Sequence, residues 1–219
     1  MRKNVLVTLI ILLSFPFYSL AASVKNGVLQ AYWLPVWKGS VNKPELTLRF
    51  FVFSNAGKQQ EVINIDPRSF SEVFIKSSFK ETADDFLNSK EGHIEQVGRI
   101  SLADITYAKE CDSKIWHAKI IEFQKMKNNL KLDESKVECN GFPYLLTYQL
   151  KEGVTKVDIF SQPDISAKRI GVVDGQHTLV KIKTINPEWF FVAVYDASKQ
   201  DFIGWPKGYA RKKDLSPVN

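Results

Sequence analysis

Cysteine and histidine are scarce in this 219-residue chain, which holds two Cys and three His. So few donors cannot supply the repeated Cys-x-x-Cys spacing of a four-ligand zinc site, and His93, His117 and His177 share no ligand spacing. No metal and no cofactor is therefore expected. Catalytic signatures are missing as well. There is no Gly-x-Ser-x-Gly elbow of a serine hydrolase and no His-Glu-x-x-His of a zinc protease; His93 stands between Gly92 and Ile94. The acids Asp84-Asp85 and Glu110/Asp112 read as exposed residues of a helix and a turn rather than as a glycosidase pair. The chain also lacks internal repeats, low-complexity tracts and, after its start, any apolar run of membrane-spanning length. It is expected not to be an enzyme.

What is present begins with a tripartite leader: basic Arg2-Lys3, the apolar stretch Val5–Phe17 interrupted by Thr8, Ser14 and Pro16, and the small-residue exit Ser19-Leu20-Ala21-Ala22. This pattern predicts a secretory signal peptide over residues 1–22, cleaved after Ala21 or Ala22. Ser23 follows where a lipoprotein signal would need Cys. The expected product is periplasmic or otherwise exported and soluble, with no stable membrane insertion once the leader is gone. Removing Arg2 and Lys3 lowers the formal net charge from +6 to +4, too mild to argue for nucleic acid. Export into an oxidising compartment makes Cys111 and Cys139 an expected disulfide, whose 28-residue spacing would contribute about 3 to 4 kcal/mol in the chain-entropy account. Using Cys111 as a nucleophile with His117 would leave Cys139 unpaired there.

The mature chain is expected to be mainly β. Val28–Leu34, Leu46–Phe53, Ile100–Tyr107, Ile115–Phe123 and Tyr144–Leu150 are rich in aromatic and β-branched residues, and one short helix is predicted over Lys80–Ser89 with Ala83, Phe86 and Leu87 on its buried face. Alternation in Ile115–Phe123 is imperfect, which implies that both faces of that strand are at least partly covered. Asn55-Ala56-Gly57, Asn128-Asn129 and Asn140-Gly141 signal turns. A boundary is read in the polar segment around Gly153. It separates a strand-rich domain with a short helix and one disulfide, residues 23–153, from residues 154–219. No family is recognised in the first domain. The second shows short runs at Val157–Phe160, Arg169–Val173, His177–Thr184, Trp189–Tyr195 and through Gly208-Tyr209-Ala210, a spacing that suits a small barrel.

Within this last third, Ile159-Phe160-Ser161-Gln162-Pro163 is a strand running into a Pro-containing loop, and Ile170-Gly171-Val172-Val173-Asp174-Gly175 is a strand ending in a Gly-centred turn. Thr178-Leu179-Val180-Lys181-Ile182 alternates, Trp189-Phe190-Phe191-Val192 opens on Trp, and Gly208-Tyr209-Ala210 is followed by Leu215. In this order the residues resemble the bacterial SH3 (SH3b) family. Asp158-Ile159 replaces its usual Val-Arg, and Tyr-Ala replaces the Trp-Val of its closing signature. The resemblance implies a small SH3-like β-barrel that recognises cell-wall peptides or protein partners.

Each quoted residue also has a physical reason. Gly175 and Gly208 are expected at turns with positive φ, Pro163 presets a loop, and Trp189 and Tyr209 serve either as apolar bodies for a small core or as ligand contacts. Trp205, in Gly204-Trp205-Pro206, is the first choice for recognition. Arg211-Lys212-Lys213 with Lys207 nearby forms the densest basic run, interleaved with Trp205 and Tyr209, and suits an anionic partner. The expected ligand-binding residues are thus Trp205, Tyr209, Trp189, Lys207 and Arg211. The expected function is non-catalytic docking on peptidoglycan or an envelope protein. The alternative is a periplasmic immunity or inhibitor protein that blocks a toxin or cell-wall hydrolase. Nucleic acid is not an expected partner of an exported chain.

Overall fold

A computed structural model describes residues 22–38, 41–53, 61–110, 113–127, 132 and 141–218. Residues 1–21 of the proposed leader, both cysteines and most of the Asn-containing turn signals lie outside these residues.

The first half is a closed barrel of β1 (Ser23–Leu34), β4 (Glu45–Val52), β5 (Val62–Ile65), β7 (Ser113–Lys125) and β6 (His93–Glu110), in that order around the wall, with the two-residue hairpin β2 (Trp37–Lys38) and β3 (Val41–Asn42) beside it. All neighbours are antiparallel except β5 and β7. Alternation decides what fills it. Leu29, Ala31 and Trp33 of β1 point inward to meet Leu48, Phe50, Ile63, Ile65, Ile100 and Leu102. Between β5 and β6 the chain forms α1 (Glu72–Phe79) and α2 (Ala83–Ser89), joined by the 3-10 turn Lys80–Thr82. The sequence pattern predicted one helix here and the structure has two. Ser71 starts the first by accepting a hydrogen bond from the Phe74 amide, and the Ile75/Phe79 face packs into the same core as Ala83, Phe86 and Leu87. The Trp33 indole donates to the Phe86 carbonyl at 2.9 Å, fixing helix against wall.

The outer face of β1 and β4 is also covered. Arg49 is 1% exposed. Its Nε donates to Gln30 Oε1 at 2.7 Å, its guanidinium lies 4.6 Å from the Phe51 ring centre, and Gln30 Nε2 donates to Glu95 Oε1 at 2.9 Å. A buried cation with these partners is held where an apolar residue would be the sequence-based expectation.

The second half is one sheet, ordered β10 (Arg169–Asp174), β9 (Lys156–Phe160), β13 (Ile203–Arg211), β12 (Trp189–Tyr195), β11 (Leu179–Thr184), β8 (Leu146–Leu150) and β14 (Leu215–Pro217). The 3-10 turn Lys212–Asp214 leads into β14. Two expectations change. The closed barrel lies upstream, and the tail forms a curled sheet whose ends, β10 and β14, do not pair. Leu146–Leu150, grouped by sequence with the first half, pairs with β11 and β14 instead. Its alternating Leu146, Tyr148 and Leu150 complete the second core beside Val157, Ile159, Leu179, Phe190, Val192 and Leu215. Among the described residues no strand of 156–217 pairs with the barrel's strands.

Gly153 does adopt positive φ, at the turn between β8 and β9. Gly175 and Gly208 do not, contrary to expectation. Gly208 is needed for closeness: a Cβ there would lie 2.5 Å from the Phe160 carbonyl oxygen and 2.8 Å from Ile159 Cγ2. Among the described residues no helix is long and apolar enough to cross a membrane.

Candidate binding surface

Antiparallel pairing assigns the faces of the second sheet. Phe190 opposes Ala210 and Val192 opposes Gly208, and these point into the core. The intervening residues therefore share the outer face: Trp189 opposite Arg211, Phe191 opposite Tyr209, Ala193 opposite Lys207. On the far side of β13, Tyr209 opposes Phe160 of β9, which opposes Arg169 of β10. On the near side Phe191 opposes Lys183 of β11. One row thus crosses five strands as Arg169, Phe160, Tyr209, Phe191 and Lys183, about 19 Å from end to end at the usual strand spacing.

The rings of this face touch. Phe191 and Tyr209 are tilted with centres 4.9 Å apart, and Phe160 meets Trp189 edge-on at 5.6 Å. Lys207 Nζ lies 5.6 Å from the Phe191 ring centre. Arg169 pairs with Asp158 at 3.3 Å. Lys183, Lys207 and Arg211 have no ion-pair partner among the described residues, and Arg211 Nε is buried without a hydrogen bond. The surface is therefore aromatic and carries uncompensated positive charge.

Four of the five residues singled out by sequence converge here: Lys207, Tyr209 and Arg211 at alternate positions of β13, and Trp189 across from Arg211. The fifth, Trp205, is 73% exposed and stands two residues before Lys207, where the β12–β13 register shifts. Trp189 is 5% exposed, so of its two open roles it takes the packing one, as the support beneath Phe160 and Arg211. Sequence reading missed Phe191, Arg169 and Lys183, and Phe160 in the same row is buried like Trp189. Phe191 was findable, because it lies two residues from Trp189 and so shares its face. Lys183 was not, because a bulge decides its side.

No protein-family model, characterised protein or solved structure matches the chain. The surface is consequently read from its own chemistry.

That bulge lies in β11, where Lys181 opposes Val192 and Lys183 opposes Phe191, leaving Ile182 extra. Lys181 thus points to the core face, where its ammonium meets Glu91 Oε2 at 2.8 Å. Glu91 stands just before β6, in the barrel half, and also accepts from the Thr184 amide at 2.7 Å and the Thr184 hydroxyl at 2.9 Å. Burial alone would raise the Glu91 carboxyl; the bonds from Lys181 and Thr184 outweigh it and hold the group below its ordinary value. Lys212, 4.6 Å from the Phe190 ring centre, is lowered by burial and by Lys181 nearby. Beside this junction a cleft of about 840 Å³ opens between the halves, lined by Tyr144, on which His93 stacks at 4.2 Å, and by Phe142, Val180, Ile182 and Ile203.

Proposed function

We propose that this chain is an exported, non-catalytic binding protein whose SH3b-like tail docks on the cell envelope through the outer face of its second sheet, with peptidoglycan stem peptide as the ligand. The observation that carries the proposal is the set Lys183, Lys207 and Arg211, unpaired around the Phe191/Tyr209 rings. Stem peptides bear free carboxylates along a short flexible chain. Cations flanking flat rings offer such a ligand charge-assisted hydrogen bonds and apolar contact together. Trp205, 73% exposed and two residues before Lys207 in the same strand, supplies a large ring of the type that anchors small interfaces.

The test is co-sedimentation of the mature protein with purified sacculi. The wild type pellets, the bound fraction falls with added salt, and Trp205→Ala or the pair Lys207→Gln/Arg211→Gln weakens binding about tenfold or more. Equal supernatant levels for all three proteins overturn the peptidoglycan ligand. Recovery of a stoichiometric complex with an acidic envelope protein, without sedimentation, replaces it with the inhibitor function. Export is tested by intact mass and thiol alkylation of the secreted form: loss of the leader and no reaction at Cys111 or Cys139 before reduction are expected, and two free thiols overturn the compartment argument.

A further inference from the structure

Lys181 and Thr184 are three residues apart, so in a regular strand they would project to opposite faces. Glu91 nevertheless binds both, through the Lys181 ammonium at 2.8 Å and the Thr184 amide and hydroxyl at 2.7 and 2.9 Å. Only the bulged register allows this. With Ile182 extra, Lys181 and Thr184 come to one side of the sheet and Lys183 is turned to the other, opposite Phe191. Both charged partners are well shielded, with side-chain exposures of 10% for Lys181 and 16% for Glu91. Moving the extra residue out of this position re-aims the side chains beyond it, because a one-residue change of register carries each of them to the opposite face.

We infer that Glu91 is a positioning residue for the binding surface: although it belongs to the barrel half, it pins the β11 bulge and thereby holds Lys183 on the ligand-facing side. This rests on the outer face being the docking surface. Without the carboxylate, the register in which Lys183 lies inward competes, because Lys181 then loses the partner that compensates its burial. The barrel half thus completes the charge pattern of a surface built on the other half.

The experiment labels the mature full-length chain with an amine-acetylating reagent at neutral pH and reads each lysine by mass spectrometry, with Lys207 as the reference for the outer face. In the wild type Lys183 reacts at a rate comparable to Lys207, and Lys181 about tenfold more slowly, as their exposures dictate. In Glu91→Gln the reactivity of Lys183 falls relative to Lys207 and the Thr184 amide loses hydrogen-exchange protection. Thr184→Val, which keeps the amide and removes the hydroxyl, shifts both readouts less and in the same direction, and serves if Glu91→Gln does not fold. On sacculi, Lys183→Gln and Glu91→Gln each weaken binding, and the double variant is no weaker than the worse single. Release of Lys181 with Lys183 and the Thr184 amide unchanged overturns the inference and leaves Glu91 a simple ion-pair partner. A Lys183 shift in a protein that never pellets with sacculi upholds the positioning and overturns the peptidoglycan ligand instead.

Discussion

A tryptophan with 5% of its surface exposed and another with 73% respond to truncation in opposite ways. Trp189→Ala removes a ring packed edge-on against Phe160 and is expected to destabilise by about 3 to 5 kcal/mol, read as a lowered denaturation midpoint. Trp205→Ala is expected to move stability by less than about 0.5 kcal/mol while weakening sedimentation with sacculi. If both variants lower the midpoint equally, the assignment of one to packing and the other to recognition is wrong. Gly208→Ala tests a different kind of requirement. Its Cβ would sit 2.5 Å from a backbone oxygen that cannot swing aside, so a loss of about 1 to 3 kcal/mol is expected from overpacking, with no contribution from φ.

At the scale of single elements, short polar caps hold the connections. The 3-10 turn Pro67–Ser69 between β5 and α1 is closed by Asp66, whose carboxylate accepts from the Arg68 side chain at 2.8 and 3.1 Å and from the Arg68 amide at 2.9 Å. These bonds hold its pKa down to about 2. Because the folded value lies below the unfolded one, the stabilisation is present above the ordinary carboxylate range and is lost as pH falls toward 2. Carbon-13 detection of the Asp66 carboxyl should give a midpoint near 2, and a midpoint at the ordinary Asp value of about 3.9 would remove Arg68 as the cause. Ser71→Ala, which deletes the cap of α1, should cost about 1 kcal/mol by denaturant titration. At this scale the chain was readable in part. The Ala83/Phe86/Leu87 face and strand runs such as Trp189–Tyr195 follow from local periodicity and are where expected. The helix Glu72–Phe79 was missed because its burial of Ile75 and Phe79 depends on a barrel wall made by distant strands.

Across the whole molecule, Glu91 joins the two halves, and its carboxyl is held below its ordinary value by Lys181 and Thr184 in spite of burial. The sign follows as for Asp66. The junction stabilises above the ordinary Glu range and loosens as pH falls through the lowered folded value. Glu91→Gln is therefore expected to be less stable than wild type by about 1 to 3 kcal/mol at neutral pH, and the gap should close in acid. A gap independent of pH in thermal unfolding would show that charge at this position is immaterial.

Sequence alone grouped Lys207, Tyr209 and Arg211 in one stretch of chain, and alternation, a local property of extended backbone, puts them on one face once Ile203–Arg211 is known to be a single strand. Sequence also determined the mainly β character, for the same local reason. Tertiary structure decided that the closed barrel is upstream, that Leu146–Leu150 serves the second sheet, and that a bulge turns Lys183 toward Phe191. These outcomes depend on pairings between segments far apart in the chain, and no local pattern specifies which edge a strand will meet or where a ladder will take up an extra residue.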